Sequence, residues 1–404
     1  MGLEMPAFKI AMLQALLAVC FTTSGTVAQD PVQSGADRIL ENPYLSWIQG
    51  KRVGLITNPT GVTSTLNSTW DLLSQHPDVD LKALFGPEHG IFGQAQAGDH
   101  VSDSGKVYSL YGETRAPTAE MLEGVEVLIY DIQDVGVRFY TYISTMYLSM
   151  QAAAKHGIPF IVLDRPNPID GSRVEGPILQ TEKKSFLGLV GLPIRYGMTP
   201  GELARMLNGE TNLGSDLKVV PLSGWHRQDW YDQTALEWVL PSPNMPTLTT
   251  ATLYPGLGLI EGTNLSEGRG TSLPFELVGA PWLSGQELAK RLNRLPLAGV
   301  RFRFQTFTPT TSKYQGEPCQ GVQIHILDRT TFQPLEVALH LLQEVQMLHP
   351  EQFQWNTTFL DRLVGNSWVR EALSEGRPVD EIVNRWQQEL KEFKEVRKRY
   401  LLYR

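Results

Sequence analysis

The sequence predicts an α/β protein, with a Rossmann-like parallel sheet domain followed by a smaller α+β C-terminal domain. In the first half of the chain, short and continuously apolar runs alternate with helical stretches, and turn residues bound each run. Strands without polar alternation are typical of a parallel sheet covered by helices on both faces. From residue 298 the pattern changes to alternating apolar and polar strands with amphipathic helices, which indicates a second unit.

The individual elements are predicted in order from residue 52. In the first unit, strands are predicted at 52–57, 81–85, 125–130, 159–163 and 218–222, and helices at 69–75, 141–156 and 200–207. In the second unit, strands are predicted at 300–307 and 322–327, and helices at 335–348 and 379–396. The predicted division of the chain is a signal peptide at 1–28, a Rossmann-like domain at 29–297 and an α+β domain at 298–404 that completes a cleft.

The first 28 residues have the pattern of an export signal. Lys9 precedes an apolar run at 10–21, and small and polar residues then lead to Ala28. This run is too short to span a bilayer comfortably, and no later segment has the length and apolarity of a span. We therefore expect an exported protein, in a periplasm or outside the cell.

Charge and cysteine content exclude several classes of partner and site. The formal net charge of -8 argues against nucleic acid, because nucleic-acid-binding proteins need a basic face. With Cys20 in the signal, Cys319 is the sole cysteine of the mature chain, so neither an internal disulfide nor a zinc site built from several cysteines is expected. The sequence does not predict an oligomeric state.

Polar clusters follow each of the first four predicted strands. The clusters are Thr57-Asn58, Glu88-His89, Asp131 with Gln133 and Asp134, and Asp164-Arg165 with Asn167. Parallel strands deliver such loops to one sheet edge, so the clusters are expected to converge on one crevice. The alternative is that Asp and Asn simply cap the helices that follow. Neither a dinucleotide fingerprint nor a phosphate-binding glycine-rich loop occurs, and no cofactor is predicted.

Two segments are unusual enough to suggest a site. The Gly86-Pro87-Glu88-His89-Gly90 turn presents a carboxylate beside an imidazole between residues that constrain the backbone. The segment 261–271 combines three glycines with Glu261, Asn264, Glu267 and Arg269, and an arginine flanked by glycines can approach an anionic group closely. The structural alternatives are a capping Glu88 with a packed His89, and a flexible surface loop.

The candidate constellation is rich in carboxylates. It comprises Glu88, Asp131, Asp134, Asp164, Glu175, Glu261 and Glu267. Paired carboxylates suit glycoside cleavage, in which one protonates the leaving oxygen and the other stabilises or attacks the anomeric centre or activates water. A metal site that includes His89 is the rival use, although no two-histidine spacing supports it. A serine hydrolase is poorly supported because no Gly-x-Ser-x-Gly elbow occurs.

Several long strings that contain glycine or proline follow one another along the chain. They are GLITNPTG, LFGPEHGIFG, YDIQDVGVRFYTY, LDRPNPIDG, VEGPIL, RYGMTPGELA, PSPNMPT and EGTNLSEGRGT followed by PFE and GAPW. From about Arg52 to the C-terminus the chain resembles the exo-acting β-N-acetylmuramidases, the NamZ-like glycosidases of peptidoglycan recycling. The resemblance implies a catalytic Rossmann-like domain, a smaller C-terminal domain and a cleft between them. It also implies release of N-acetylmuramic acid from non-reducing ends of muropeptide-derived glycans.

The resemblance also implies roles for single residues. Glu88 matches the glutamate expected to be the general acid, and His89 is expected to orient it or to bind a sugar hydroxyl. For the second carboxylate, Glu175 is the first choice, followed by Glu267 and Asp131. Candidates for the lactyl carboxylate of muramic acid are Arg269, Arg138, Arg165 and Arg195, each with a structural ion pair as the alternative.

The remaining substrate contacts are expected from polar side chains. Asn244, Asn58 and Gln133 suit the N-acetyl group or hydroxyls, and the further candidates are Asp164, Glu261, Asn264 and Tyr314, the last on a loop that reaches toward the first domain. Peptidoglycan-derived sugars are the expected partner, with neither metal nor cofactor. The alternatives are a non-catalytic periplasmic muropeptide-binding protein and a metal-dependent hydrolase.

Overall fold

A six-stranded sheet organises the first half of the chain in a computed structural model that describes residues 31–93 and 107–404. Its strands are β1 (Lys51–Thr57), β2 (Val79–Gly86), β3 (Val107–Ser109), β4 (Val127–Asp131), β5 (Phe160–Leu163) and β6 (Leu217–Val220). They lie in the order β3-β2-β1-β4-β5-β6, and every neighbouring pair is parallel. This strand order is that of the Rossmann fold, so the predicted α/β class is confirmed.

Burial of the central strands on both faces explains their unbroken apolar sequence. Every residue of β4 and β5 is buried. Val127 and Ile129 of β4 pack into one apolar cluster, whereas Leu128 and Tyr130 pack into another. Because successive side chains of a strand point to opposite faces, these two clusters lie on the two sides of the sheet.

Helices begin where the sequence supplies capping groups. Those of the first half are α1 (Gly35–Arg38), α2 (Thr69–Ser74), α3 (Tyr142–Lys155), α4 (Pro200–Glu210) and α5 (Leu248–Leu257). At the start of α4, Thr199 and Glu202 form a capping box, and Pro200 stands at a position that needs no N–H donor. The Ser68 hydroxyl accepts from the Asp71 amide at 3.2 Å at the start of α2. The predicted helices near 69, 141 and 200 are confirmed.

A smaller antiparallel sheet follows, in the order β7-β9-β8. Its strands are β7 (Leu277–Ala280), β8 (Val300–Phe307) and β9 (Cys319–Ile326), and the helices around it are α6 (Gly285–Leu292), α7 (Pro334–Leu348), α8 (Thr357–Val364), α9 (Trp368–Ser374), α10 (Val379–Arg385) and α11 (Gln387–Lys398). The prediction of one helix at 379–396 is wrong. Trp386, buried against the core, separates α10 from α11.

Two sequence predictions concern membranes and export. Among the residues that the structure describes, no helix combines the length and apolarity needed to cross a membrane. The predicted signal peptide at 1–28 lies outside the described residues. The predicted boundary at 297/298 stays a prediction; β7 precedes it in the chain and pairs with β9, which follows it.

Candidate active site

A cavity of about 370 Å³ opens beyond the carboxyl ends of β2 and β4. Its walls come from the turns after these strands, from loops at 185–187 and 242–245, from the segment 254–275 and from α8. In open α/β sheets, ligands bind at this edge, where the strand order reverses. Of the residues predicted for the site, five line the cavity: Glu88, His89, Asn244, Glu261 and Arg269.

The turn after β2 places Glu88 at the cavity wall. The Gly90 amide donates to the Pro87 carbonyl at 2.9 Å, which closes the turn. His89 has a φ of 72°, in the left-handed region that side chains other than glycine rarely adopt. Gly86 is required here, since a Cβ would lie 2.8 Å from the Ile91 amide nitrogen. A strained residue in a tight turn beside a cavity is typical of functional sites.

Two hydroxyl groups contact the Glu88 carboxylate. Thr141 Oγ1 donates to Glu88 Oε2 at 2.6 Å. The pKa of Tyr111 is raised to about 12, first by burial and then by the charge of Glu88 and a hydrogen bond to it. Thr141 immediately precedes α3, but its side chain makes no cap to that helix. Its hydroxyl therefore serves Glu88 rather than the helix.

A second carboxylate borders the cavity in a cluster of charges. Arg269 donates to Glu261 Oε1 through Nε at 2.8 Å and through Nη2 at 2.5 Å, and its Nε lies 3.4 Å from Glu267. Lys313 Nζ lies 3.1 Å from the other oxygen of Glu267. Burial raises the pKa of Glu261 and outweighs the opposite effect of Arg269. The Arg269 guanidinium also lies 5.0 Å above the Phe275 ring, within the range of a cation–π contact.

Tyr254 lies within electrostatic range of both cavity glutamates. Its pKa is raised well above the ordinary value, first by burial, with further contributions from the charges of Glu261 and Glu88. Tyr254 also lines the cavity and packs edge-to-face against Phe139 and Tyr140. The two carboxylates that border the cavity therefore face a common aromatic wall.

Several predicted site residues meet one another rather than the cavity. Arg165 donates to Asp131 through Nε at 2.6 Å and through Nη2 at 2.9 Å, and Thr69 Oγ1 donates to Asp131 Oδ2 at 2.5 Å. All three residues are buried. Gln133 Nε2 donates to the carbonyls of Asp134 and Pro166, both at 2.8 Å. These residues from different strand ends contact one another, but none of them lines the cavity on which they were predicted to converge.

Asp164 joins the first sheet to the end of the chain. It accepts from the Thr199 hydroxyl at 2.8 Å, from the Gly201 amide at 2.7 Å and from the Tyr403 hydroxyl at 2.5 Å. Burial raises the pKa of Asp164 to about 7, although these hydrogen bonds oppose the shift. It is absent from the cavity lining, and its contacts connect β5, the start of α4 and the C-terminus.

Glu175, the first choice for the second carboxylate, pairs with Arg195 in the structure. Arg195 Nη1 donates to Glu175 Oε1, and its Nη2 donates to the Ile169 carbonyl. Arg138 is also fully buried, and it donates to the carbonyls of Pro177, Leu192 and Leu363. Neither arginine lines the cavity, and neither does Glu175.

The other predicted polar contacts are divided between the cavity and the framework. Asn264 bridges Gln352 and Gln354 through its amide, and the Tyr314 hydroxyl donates to the Asn264 carbonyl at 2.7 Å. Asn58 accepts from the Thr60 amide at 2.9 Å and borders a separate cavity of about 240 Å³. Asn244 alone among these amides lines the larger cavity.

Comparison with known proteins bears on the identity of this cavity. The chain matches the family described as exo-β-N-acetylmuramidase NamZ, through its N-terminal part at residues 53–249 and its C-terminal part at residues 252–403. The chain belongs to this family of glycosidases. It is 50% identical over 385 residues to the peptidoglycan β-N-acetylmuramidase NamZ of Bacillus subtilis (strain 168), covering 94% of this chain and 93% of that protein.

Solved structures extend the similarity to the fold. A DUF1343 family protein from Bacteroides fragilis NCTC 9343 has a TM-score of 0.86 and 41% identity, with 93% of this chain and 99% of that chain covered. A second DUF1343 family protein from the same organism has a TM-score of 0.76 and 32% identity, with 92% and 99% covered. The resemblance predicted from the glycine-rich strings is therefore confirmed at the level of family, fold and enzyme class.

One group of described residues could hold a metal ion. Ligand atoms of Glu336, His340 and Asp380 lie within 4.8 Å of one another, on α7 and α10. None of the three lines the glycosidase cavity. A metal held there would therefore lie outside the site that contains Glu88.

Residues that the sequence did not single out complete the cavity lining. They include Tyr111, Arg115, Tyr140, Thr141, Phe186, Tyr254 and Arg362. The string YDIQDVGVRFYTY contained a signal for Tyr140 and Thr141, because it carries aromatic residues beyond what a connection requires. Arg115 and Arg362 stand in an ordinary loop and an ordinary amphipathic helix, so no local motif marked them.

Proposed function

We propose that this glycosidase releases N-acetylmuramic acid from the non-reducing end of peptidoglycan fragments. The placement of Glu88 carries the proposal, because its carboxylate borders the cavity while Thr141 and Tyr111 hold it by hydrogen bonds. The name of the B. subtilis relative supports N-acetylmuramic acid as the sugar that is released, and the family description supports cleavage at the end of the glycan.

The size of the cavity favours removal of a single terminal sugar. At about 370 Å³ it lies near the lower end of the range for small-molecule sites, about 300–1,000 Å³. Aromatic walls from Tyr140, Phe186 and Tyr254 supply apolar faces for a pyranose ring. A site of this size suits one sugar residue and its substituents rather than a length of glycan.

In the proposed reaction, Glu88 transfers a proton to the glycosidic oxygen as the bond to the anomeric carbon breaks. The positive charge that develops at the sugar is stabilised by a second carboxylate. We assign this role to Glu261 in place of Glu175, because Glu261 borders the cavity and its carboxylate is paired with Arg269. Water then adds to the anomeric carbon, and its proton returns to the carboxylate pair. We further propose that the protein acts after export.

Turnover of chromogenic substrates tests the proposed function. The enzyme is expected to release the chromophore from a β-N-acetylmuramide and to act far more slowly on the matching β-N-acetylglucosaminide. Activity on the glucosaminide alone would overturn the substrate assignment. Absence of turnover on both, with retained binding of muramic acid, would favour a binding protein, and loss of turnover with a chelator would favour a metal-dependent hydrolase.

A further inference from the structure

The cavity lining has the opposite charge balance to the rest of the molecule. The chain carries 43 acidic residues against 35 Lys and Arg. In the lining, by contrast, three arginines (Arg115, Arg269 and Arg362) stand against two glutamates (Glu88 and Glu261). A locally positive cleft in an acidic protein attracts an anionic ligand. The positive charge of this lining therefore calls for an anionic group on the substrate.

Only two of the three guanidinium groups remain available for such a ligand. Arg269 is engaged by Glu261 and Glu267. Arg115 and Arg362 form no ion pair with any other residue in the described ranges 31–93 and 107–404. Both are exposed at the mouth of the cavity, which keeps them hydrated until a ligand binds. We name these two residues the arginine rim.

Arg362 is presented by a firmly held helix end. The buried Arg138 donates from Nη2 to the Leu363 carbonyl at 2.6 Å, in the last turn of α8. The neighbouring carboxylate of Asp361 is occupied by Arg370 at 2.8 Å and by Lys183 at 3.0 Å. The backbone beside Arg362 is therefore held in place, and the carboxylate nearest to it in sequence does not neutralise its charge.

Arg115 is oriented by an aromatic ring. Its guanidinium lies 4.4 Å above the centroid of Phe186, which also lines the cavity. The positive charge of Arg115 also lowers the pKa of Tyr111, against the larger effects of burial and Glu88. Arg115 therefore lies within electrostatic range of the hydroxyl that contacts the catalytic carboxylate. A stacked guanidinium still presents its N–H edge to a planar carboxylate.

We propose that the arginine rim binds the lactyl carboxylate of the terminal sugar and gives the enzyme its preference for muramic acid over glucosamine. This inference rests on the proposed function. N-acetylmuramic acid differs from N-acetylglucosamine by a lactyl ether that carries a carboxylate, so discrimination between them needs a cation. Arg115 and Arg362 take the place of Arg138, Arg165 and Arg195, which are occupied by internal partners.

Calorimetric binding to the full chain tests the rim independently of turnover. The probes are N-acetylmuramic acid, N-acetylglucosamine and a muramoyl dipeptide, in which the lactyl carboxyl is an amide and the peptide carries the carboxylate. Arg115→Ala and Arg362→Ala are each expected to weaken binding of N-acetylmuramic acid by about tenfold, as for loss of a charge-assisted hydrogen bond. Binding of N-acetylglucosamine should be unchanged. The corresponding Arg→Lys variants should lose less affinity for N-acetylmuramic acid than the alanine variants.

Arg303→Ala is the matched control, because Arg303 is exposed on β8 and its side chain donates hydrogen bonds only to Gln305 and Gln323 among the described residues. It should leave all three affinities unchanged. Equal losses for both sugars, or no loss for N-acetylmuramic acid, would overturn the inference. A loss confined to the muramoyl dipeptide would also overturn it, because the rim would then bind a peptide carboxylate.

Turnover separates this inference from the proposed function. If the wild-type enzyme cleaves the muramide and the Arg115 and Arg362 variants are unaltered in binding and in kcat/KM, only the inference about the arginine rim is contradicted. A wild-type protein that binds N-acetylmuramic acid in a rim-dependent manner but does not cleave the muramide contradicts the proposed function alone.

Discussion

Two carboxylates of similar surroundings stand at the same edge of the six-stranded sheet. Asp131 is the last residue of β4 and accepts from the Thr69 hydroxyl at 2.5 Å, whereas Glu88 follows β2 and accepts from the Thr141 hydroxyl at 2.6 Å. Asp131 is also held by two nitrogens of Arg165 and is completely buried. Glu88 is half-buried and borders a cavity.

The difference between these two sites lies in the access that each carboxylate has to the cavity. A buried carboxylate matched by a bidentate guanidinium and a hydroxyl has no surface left for a ligand, and it links segments distant in sequence. A carboxylate positioned by hydroxyls at a cavity wall can still reach a substrate. Both residues are carboxylates at the same edge of the sheet, and of the two only Glu88 borders the cavity.

The largest expected effect comes from Glu88→Gln. The amide keeps the size of the side chain but cannot transfer a proton, so kcat should fall by roughly 10³-fold, within the range for general acid–base groups. Binding of N-acetylmuramic acid and the thermal midpoint of unfolding should change little. A variant that retains more than a tenth of the wild-type kcat would contradict the assignment.

Asp131→Asn should show the opposite pattern. It leaves the buried Arg165 without its carboxylate, with the Val62 carbonyl at 2.8 Å as a remaining acceptor. Breaking a buried ion pair in this way should lower the free energy of unfolding by about 3–5 kcal/mol. Chemical denaturation measures this loss, and kcat of the folded enzyme should stay near the wild-type value. A marked fall in kcat at full folding would place Asp131 in the reaction.

A matched pair of threonine substitutions sharpens the comparison. Thr141→Val removes the donor to Glu88, and kcat should fall by about tenfold, as expected for one hydrogen bond to a charged group. Thr69→Val removes the donor to Asp131, and only the free energy of unfolding should fall, by about 1–2 kcal/mol. Kinetics and denaturation of both variants provide the test. If Thr141→Val and Thr69→Val lowered kcat equally, the proposed distinction between the two sites would be wrong.

The last expected effect is a pH dependence of stability. Burial raises the pKa of Asp164 from 3.8 to about 7, so the folded state holds a proton that the unfolded state has released. The stabilisation is complete below the unfolded pKa and is lost as the pH rises toward the folded value. Between about pH 4 and 7, the wild type should lose stability relative to Asp164→Asn. A difference between the two proteins that stays constant across this window would contradict the shift.

The sequence was sufficient to predict most strands of the six-stranded sheet but only some of the residues that line the cavity. Mostly apolar runs identified β1, β2, β4, β5 and β6, and burial on both faces explains the unbroken runs of β4 and β5. The strands β3, which has three residues, and β7, which contains Gly279, were missed. The Glu88 turn was visible because Gly86, Pro87 and Gly90 mark its backbone.

The pairing of charges could not be read from the chain. Glu175 and Arg195 are 20 residues apart, and Arg138 and Leu363 are 225 apart. Whether an arginine meets a carboxylate, a carbonyl or a cavity depends on tertiary packing that local patterns do not encode. Arg115 and Arg362 illustrate the converse, because they reach the cavity from segments with no distinguishing residues around them.

The most direct test of the central claim is a crystal structure of Glu88→Gln with a disaccharide that carries N-acetylmuramic acid at its non-reducing end. The sugar is expected in the cavity, with the glycosidic oxygen within hydrogen-bond distance of side chain 88 and the anomeric carbon facing Glu261. A disaccharide bound away from this cavity, or bound there with its glycosidic oxygen far from residue 88, would contradict the account.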